Sequence, residues 1–380
     1  RAERAPNIAE LFLSPQQTFA VAAGGDTCST QNGASYSANP KYNANWAKVV
    51  NLCGQLMEAS GLATADNVYY GVDYRTLAAA GSEAAVRTLI GNTQQANSAA
   101  FVFPTLQGNS ALRPEVADTW TIGAVINSPF ESPLLNRMRL SVDWYSVKVK
   151  DAIGAQSVDI AQRQCFDAGF NPTYAASSPF CATIGRNQTG ALGNVITTFL
   201  NNGRFQTQGL DVQLDWSFQA GPGTVSINSV LNYLISMKSA ELAILPLVEY
   251  AGTLGPTQNG LNGGAYRYKV FTTLGYAVGP VNVSLQWQHL PSVLTETSAT
   301  FPATTVGGYK AYDLFNLNGS FAITKDARIR FGIDNLFNRA PPLGSINSNP
   351  GPGSVAGGSY NTNFYDVIGR RFFLGATFKF

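Results

Sequence analysis

The residues of this sequence that could do chemistry are four cysteines and a single histidine. The cysteines are Cys28, Cys53, Cys165 and Cys181, and no two of them have the Cys-x-x-Cys spacing of a zinc site. His289 is the only histidine, and a lone histidine is more often structural than a metal ligand. Serine, threonine and aspartate residues are scattered without a histidine partner for nucleophilic catalysis. We therefore expect no metal site, no cofactor and no enzymatic activity.

The elements that position these residues must suit an unusual composition. The chain has 25 Lys and Arg against 23 Asp and Glu, and a net charge of +2 argues against a nucleic-acid partner. Charged residues make up only 13% of the 380 residues, compared with roughly 25% in soluble domains, whereas the hydrophobic share of 45% is ordinary. No run approaches the roughly 20 apolar residues of a membrane-spanning helix, which excludes a helical membrane protein.

Alternation of apolar and polar residues is the dominant pattern. Every even position is apolar in residues 210–218, every odd one is apolar in residues 281–287, and residues 372–380 alternate in the same way. Such a period predicts strands with one apolar and one polar face. In residues 138–149 the apolar phase changes after Trp144, either at a bulge or because the strand enters a different environment.

The links between predicted strands alternate between short and long. Short links that contain turn-forming residues lie near 128–136, 219–223, 278–280 and 324–327. Long links lie near 14–112, 152–202, 237–263, 293–308 and 338–363. Short turns on one side and long loops on the other are typical of a bacterial outer-membrane β-barrel, whereas a soluble sandwich has more even spacing. The fold class is therefore an all-β, antiparallel transmembrane barrel in contact with outer-membrane lipid.

The strand count predicts that the chain is the C-terminal part of a larger barrel. Nine complete strands follow residue 113, and residues near Arg1 form the end of a tenth. With the C-terminus in the periplasm, the long loops 14–112 and 152–202 are extracellular, and Arg1 lies at the top of a strand whose body is missing. The first residue is not Met, and no signal peptide precedes it. The alternative is a complete small porin whose N-terminal strands lack clear alternation.

Two segments of the loop 14–112 have helical spacing. Residues 45–60 place apolar side chains on one face, and residues 74–90 are Ala-rich, although Gly81 disfavours a helix there. Gly91 is the expected C-cap of the second helix. We interpret these short helices as packing the loops onto each other rather than binding a ligand.

Five motifs in this order resemble the family of TonB-dependent outer-membrane receptors. They are RAPNIAELF at 4–12, LRPE with TWTIG at 112–123, NG with TQGLDV at 202–212, GIDNLFN at 332–338 and GRRFF at 369–373, the start of the last strand. Each motif alone has little specificity for the family, but the five motifs occur in this order across the whole chain. Thr121 departs from the family pattern, which often has Glu at this position.

The resemblance implies a 22-stranded barrel, of which residues 1–380 supply the last nine to ten strands. It also implies an N-terminal plug domain and a TonB-contacting segment (the TonB box), both absent from this chain. Asp211, Gln213 and Asp215 would then face the lumen and contact the plug. The implied partners are lipid, the plug, TonB, the barrel-assembly machinery and an extracellular substrate, in the outer membrane of a Gram-negative bacterium.

The cysteines and the terminal aromatic residues are the candidate site residues. Four cysteines allow three disulfide pairings, and proximity in the sequence favours Cys28 with Cys53 and Cys165 with Cys181. The export route is oxidising, so disulfides can form in extracellular loops. The last alternating strand contains Phe378 and ends with Phe380, and this ending resembles the recognition signal for barrel assembly.

The expected function is TonB-dependent uptake of a scarce nutrient, such as a siderophore, a vitamin or an oligosaccharide. A passive porin is the alternative, and a surface adhesin is a third hypothesis. Loops rich in Asn, Gln, Tyr and Gly favour sugars or peptides over ferric catecholates, which need a basic pocket. The sequence does not identify the residues that contact the substrate, because the barrel is common to receptors for many ligands.

Overall fold

The structure is a computed structural model of the 380-residue chain. It describes residues 1–22, 25–61, 68–69, 72–90, 101–186, 190–255, 264–300, 308–344 and 364–378. Among these residues, no helix combines the length and the apolar character that are needed to cross a lipid bilayer.

Strands make up most of the regular structure in the described residues. The strands are β1 (Ala2–Arg4), β2 (Gln16–Gln17), β3 (Ala20–Val21), β4 (Val68–Tyr69), β5 (Val72–Asp73), β6 (Phe101–Val102), β7 (Thr105–Gln107), β8 (Glu115–Asn127), β9 (Met138–Ala155), β10 (Ile184–Arg186), β11 (Leu192–Ala220), β12 (Gly223–Ala240), β13 (Val248–Glu249), β14 (Tyr268–Val278), β15 (Val281–Leu290), β16 (Tyr312–Ala322), β17 (Ala327–Asp334) and β18 (Arg371–Phe378). The helices are α1 (Ile8–Phe12), α2 (Trp46–Ala59), α3 (Tyr74–Ala78), α4 (Glu83–Ile90), α5 (Val158–Phe166) and α6 (Thr297–Thr300).

The chain divides into two compact units. The first, called the sheet unit, contains Arg1–Glu3, Glu115–Ala152 and Gly203–Phe380. The second, called the loop unit, contains Arg4–Pro114 and Ile153–Asn202. Most of the long strands contribute to the sheet unit, and most of the helices belong to the loop unit.

The sheet unit is built on one path of hydrogen-bonded strands. Its order is β1, β8, β9, β11, β12, β14, β15, β16, β17 and β18. The pairing is antiparallel between β8 and β9 and at every step from β11 to β18. This path confirms the nine predicted strands and the short tenth strand near the start of the chain.

Tight turns join strands where the sequence places its turn-forming residues. Gly221 and Pro222 alone separate β11 from β12, and Gly279 and Pro280 alone separate β14 from β15. Both glycines have positive φ angles, 60° and 52°, which side chains with a Cβ disfavour. The connections at the opposite strand ends are much longer, and this agrees with the predicted alternation of short and long links.

The antiparallel register separates the sheet into two faces of different chemistry. Adjacent rows of paired residues point to opposite faces because strand side chains alternate. On the apolar face, one row runs through Trp216, Ile227, Leu274, Leu285, Leu317, Ile333 and Phe372. On the polar face, the adjacent row runs through Ser217, Ser226, Gly275, Ser284, Asn318, Gly332 and Phe373.

The apolar face presents large side chains at its surface. The exposed fraction is 70% for Ile122 and 71% for Phe372. Soluble monomers rarely leave contiguous apolar surface of this kind uncovered. This face therefore requires an apolar environment.

The change of apolar phase in β9 is a change of environment and not a bulge. The register from Asn127 and Arg139 to Val116 and Lys150 continues without a shift. Up to Trp144 the apolar residues of β9 lie on the apolar face, and beyond it lysines take their place. Lys150 pairs with Asp118 of β8 at 4.0 Å.

The loop unit has a hydrophobic core of its own. The α2 helix confirms the helical spacing of residues 45–60, and Val49, Cys53 and Leu56 are buried in that core. The Tyr74 ring of α3 packs against Gly54 of α2, where a Cβ would overlap the ring. The helices thus pack the loops onto each other, as the sequence pattern predicts.

The second predicted loop helix is two helices. The break between α3 and α4 falls at Gly81, whose φ angle of 72° lies outside the helical region. The sequence prediction of one helix over residues 74–90 is therefore wrong at its centre, for the reason that Gly81 already indicated. The proposed C-cap, Gly91, lies outside the described residues.

We predict that Gly209→Ala destabilises the sheet unit. Gly209 follows a register shift in β11, and a Cβ there would overlap the Tyr145 hydroxyl of β9. Overpacking of this kind costs about 1–3 kcal/mol. The measurement is the folded fraction of the full-length protein in detergent, read from its heat-modifiable mobility on gels. Gly375→Ala in β18 is the matched control, because a Cβ there meets no atom within 4 Å. Equal folded fractions for both variants would contradict the prediction.

Candidate functional site

The polar face has a hydrogen-bonded group of charged and amide side chains on β9, β11 and β12. Asp215 accepts hydrogen bonds from Arg139 at 2.9 Å, from Gln213 at 3.1 Å and from Asn228. These contacts join Gln213 and Asp215, two of the three residues that the sequence assigned to the lumen. The third, Asp211, accepts a separate hydrogen bond from Asn232 of β12 at 2.6 Å. The carboxylates are thus held in fixed positions by neighbouring strands.

On the strands that follow, the polar face is charged at its edges and uncharged on β15 and β16. The charged residues are Lys269 of β14, Arg328, Arg330 and Asp334 of β17, and Arg371 of β18. On β15 and β16, amide side chains alternate with the apolar residues of the opposite face. They are Asn282, Gln286, Gln288, Asn316 and Asn318. The amides of β15 and β16 can donate and accept hydrogen bonds to a hydroxylated solute or to another protein surface.

At the ends of these strands, a tyrosine cluster joins three long connections. Tyr365 lies between β17 and β18, and its hydroxyl accepts a 3.0 Å hydrogen bond from Tyr266, which precedes β14. The rings of Tyr309 and Tyr312, before and at the start of β16, lie 5.5 and 5.4 Å from the Tyr365 ring. Burial raises the pKa of both the Tyr266 and the Tyr365 phenol above its ordinary value, so both remain protonated hydrogen-bonding groups.

Main-chain bridges add to the tyrosine cluster. Thr253 pairs with Ala265 and also with Leu294, and Val293 pairs with Tyr309. These bridges connect the segment after β13 with the segments on both sides of α6. The described parts of these three connections are therefore joined to one another, and we call them the ordered layer.

The loop unit contains two disulfides. One joins Cys28 to Cys53 and the other joins Cys165 to Cys181, with Cα–Cα distances of 5.8 and 4.7 Å. Both distances are within the ordinary range for disulfides. All four cysteines are buried in the core of the unit, so the disulfides connect its segments from inside.

A buried ion pair lies beside the first disulfide. The Arg186 guanidinium pairs with Asp26 and also approaches the Cys28 sulfur at 2.6 Å. Gln162 of α5 accepts a hydrogen bond from the backbone N–H of Thr27 at 2.9 Å. The segment around Cys28 is thus fixed by a charge pair and a side-chain amide as well as by a covalent bond. The acid and base neutralise each other there, which suits a structural role.

His289 lies at the end of β15, beside an aspartate and a tyrosine. Its Nδ1 is 2.8 Å from Asp313, and its Nε2 is 3.3 Å from the Tyr268 hydroxyl. Trp287 donates a 2.8 Å hydrogen bond to the same carboxylate. In the described part of the chain, no group of three or more His, Cys, Asp or Glu residues is placed to hold a metal ion. The surroundings of His289 are those of a hydrogen-bonded structural residue.

Of the two terminal aromatic residues that the sequence singled out, the structure describes only one. Phe378 ends β18, pairs with Ala327 and is exposed. Phe380 lies outside the described residues. The role of this ending in barrel assembly stays a prediction.

Sequence reasoning missed the tyrosine cluster. Tyr266 and Tyr365 are 99 positions apart, and they do not share a strand pattern or a motif. The only signal was the number of tyrosines near predicted strand ends, which does not determine contacts. The polar-face carboxylates, in contrast, follow directly from the alternation of β11.

Comparison with known protein families identifies the class of this chain. Residues 1–336 match the family model described as TonB dependent receptor-like, beta-barrel. The match covers most of the chain, so the chain belongs to the TonB-dependent receptor β-barrel family. This is a family of receptors and transporters rather than of enzymes, and its membership confirms the resemblance in the sequence motifs.

Similar solved structures share little sequence with the chain. A mutant of the ferric enterobactin receptor PfeA from Pseudomonas aeruginosa is 14% identical, with a TM-score of 0.43, and the match covers 72% of this chain and 32% of that one. The siderophore receptor PirA from Acinetobacter baumannii is 16% identical, with a TM-score of 0.42 and coverages of 73% and 33%. The FrpB iron transporter from Neisseria meningitidis is 11% identical, with a TM-score of 0.43 and coverages of 73% and 33%. The chain thus spans about a third of the length of these structures. A search of curated proteins finds no match.

We predict that removal of either disulfide loosens the loop unit. The chain-entropy model assigns about 3 kcal/mol to closing loops of this size. The variants Cys28→Ser with Cys53→Ser, and Cys165→Ser with Cys181→Ser, should therefore be cleaved faster within the loop unit by a protease under native conditions. A reductant should have the same effect on the wild type and no effect when all four cysteines are replaced. Unchanged cleavage of both double variants would show that core packing alone holds the unit.

We predict that Tyr365→Ala releases the ordered layer, whereas Tyr365→Phe weakens it slightly. Loss of the hydroxyl removes one hydrogen bond, worth about 1 kcal/mol, while loss of a buried aromatic ring costs about 3–5 kcal/mol. Amide hydrogen exchange at Thr253 and Val293 measures the release. Tyr42→Ala is the control, because Tyr42 is exposed and belongs to the loop unit. Slow exchange at both positions in Tyr365→Ala would contradict the prediction.

Proposed function

We propose that this protein is an outer-membrane receptor of a Gram-negative bacterium, which takes up a scarce nutrient with energy delivered through TonB. Family membership over residues 1–336 carries the proposal. The two-faced sheet and the ordered layer at its strand ends support it, since a receptor of this kind needs a wall and a capture surface. The 380 residues would form the last nine to ten strands of a 22-stranded barrel, preceded in the full-length protein by a plug domain.

The apolar face would contact lipid. Its exposed aliphatic and aromatic side chains, including Ile122 and Phe372, have no other apolar surroundings within the described sheet unit. Strands of about 9–11 residues span a bilayer. The 11, 10 and 11 residues of β14, β15 and β16 match that length.

The polar face would line the lumen and contact the plug. Asp211 and Asp215 are held by amide side chains but keep carboxylate lone pairs for further hydrogen bonds. A plug that must move during transport is best contacted through polar groups that can exchange partners with water. The amides of β15 and β16 continue this surface.

The loop unit would lie outside the cell. Its two disulfides suit an oxidising location, and the long loops 14–112 and 152–202 that form it have the lengths expected of extracellular loops. The layer joined by Tyr365 would form a second part of the extracellular surface.

An uncharged substrate fits the loop unit better than a ferric catecholate. Its two segments contain eight basic and eight acidic residues. Five of its six described arginines form ion pairs with nearby carboxylates. These pairs are Arg4 with Glu10, Arg75 with Glu58, Arg87 with Glu83, Arg163 with Asp167, and Arg186 with Asp26. Cations that are already paired contribute little to the capture of a multiply charged anion, so sugars or peptides are the proposed substrate class.

We predict that uptake requires TonB. Accumulation of labelled oligosaccharides or peptides by cells that express the full-length protein should fall to background when the TonB gene is deleted. Restoring TonB on a plasmid should recover uptake, and ferric siderophores should not compete.

A passive porin would behave differently. The full-length protein reconstituted in liposomes should not let small sugars leak, because a plugged barrel has no open channel. Leakage together with uptake that persists without TonB would overturn the receptor proposal and support the porin.

A further inference from the structure

Two arginines lie on the polar face of β17, close to the short turn that joins this strand to β16. Arg330 lies between Ser320 of β16 and Gly375 of β18, and Arg328 lies two positions closer to the turn. Both side chains are exposed. Residues two positions apart on a strand lie on the same face with a separation of about 7 Å. We call these two side chains the arginine pair.

The charges of the arginine pair are not balanced within the described residues of the sheet unit. Arg330 donates a hydrogen bond to the Thr377 hydroxyl at 3.3 Å, and neither arginine forms an ion pair with a described carboxylate. At the other end of the same strands, Arg371 forms ion pairs with Asp334 at 3.5 Å and with Asp366 at 3.1 Å. The described sheet thus neutralises a cation at the loop end of β17 and β18 but not the two at the turn end.

The surroundings of the arginine pair leave room for another group to approach. Its neighbours in the paired rows are small, and they include Ala322, Ser320 and Gly375. A Cβ added at Gly375 would meet no atom within 4 Å. On β15, the polar-face residues at this end are Asn282 and Ser284, which are uncharged. The arginine pair therefore faces open space on a part of the sheet whose described neighbours carry no charge.

The arginine pair is level with apolar side chains of the opposite face. Ile329 and Phe331 alternate with the two arginines along β17, and the exposed fractions of Phe331 and Phe378 are 41% and 60%. Under the proposed function these apolar side chains contact lipid, so the arginines face the lumen within the thickness of the membrane. A guanidinium that is removed from water without an anionic partner costs free energy. A domain that fills the lumen at this level must therefore supply negative charge.

Carboxylates of an extended segment fit the arginine pair. A guanidinium binds a carboxylate through two parallel hydrogen bonds, and acidic residues two positions apart on an extended chain have the same spacing of about 7 Å. The proposed substrates are uncharged, which favours a carboxylate of the protein over a passing solute. We propose that Arg328 and Arg330 hold an acidic, extended segment of the plug domain, which precedes Arg1 in the full-length protein. This inference rests on the proposed function, to which it adds the residues and the charge of the contact.

Carbodiimide coupling in the full-length protein tests the contact. Arg330→Lys keeps the positive charge and supplies an amine. The reagent joins this amine to a nearby carboxylate as an amide, and the carbodiimide takes up the released water as a urea. Mass spectrometry of the digested protein should identify a new link between position 330 and an aspartate or glutamate that precedes Arg1. Arg371→Lys is the matched control, because its amine should couple to Asp334 or Asp366 within the sheet unit.

Removal of the two charges should loosen the plug segment. In the double variant Arg328→Gln with Arg330→Gln, a protease should cleave the plug about tenfold faster under native conditions, because hydrogen bonds to charged groups are lost. Arg328→Lys with Arg330→Lys keeps both charges and should retain the wild-type rate. Lys325→Gln is the control, since this side chain lies in the neighbouring turn and is 91% exposed, so its cleavage rate should match that of the wild type. Heat-modifiable mobility on gels shows that each variant is folded.

Three results would overturn the inference. They are links from position 330 only to residues that follow Arg1, links only to another protein, and equal plug cleavage in the double Gln variant and the wild type. TonB-dependent uptake without a link from position 330 to the plug would refute the inference alone. A link to the segment that precedes Arg1, in a protein whose uptake persists without TonB, would refute the proposed function alone.

Discussion

The continuous ladder of main-chain hydrogen bonds from β11 to β18 is the constraint on which the rest of the structure depends. It fixes the register, and the register decides which face each side chain meets. A slip of one residue would move every apolar side chain of a strand to the polar face. In a bilayer the ladder has a second role, because unpaired N–H and C=O groups are not tolerated there. The same hydrogen-bond ladder therefore decides which side chains each face of the sheet presents and makes the backbone compatible with lipid.

Order in the long connections has a different physical basis. The loop unit is stabilised by a hydrophobic core, two disulfides and a buried charge pair rather than by a long ladder. In the sheet unit, aromatic packing around Tyr365 and short bridges at Thr253 give order to segments that have little regular structure. Both units thus use side-chain contacts where main-chain pairing ends, and these contacts position the surfaces that we assign to ligand capture.

Much of the sheet unit was predictable from the sequence, because the alternation of apolar and polar residues is a local property of the chain. The nine strands, the turns at Gly221 and Gly279, and the polar row around Asp215 all follow from residues close in the chain. The change of apolar phase in β9 was visible in the sequence. Only the strand register showed that it reflects a change of environment and not a bulge. The tyrosine cluster was not predictable, since it depends on contacts between segments far apart in sequence.

The position of Tyr365 at the junction of three connections also affects how such a receptor can diversify. A substitution in any one of these connections must preserve the space that the shared ring occupies, so the three cannot vary independently. New ligand preferences are then expected to arise in segments that do not touch the ring. The residues that give the layer its order would in this way direct evolutionary change toward the remainder of the surface.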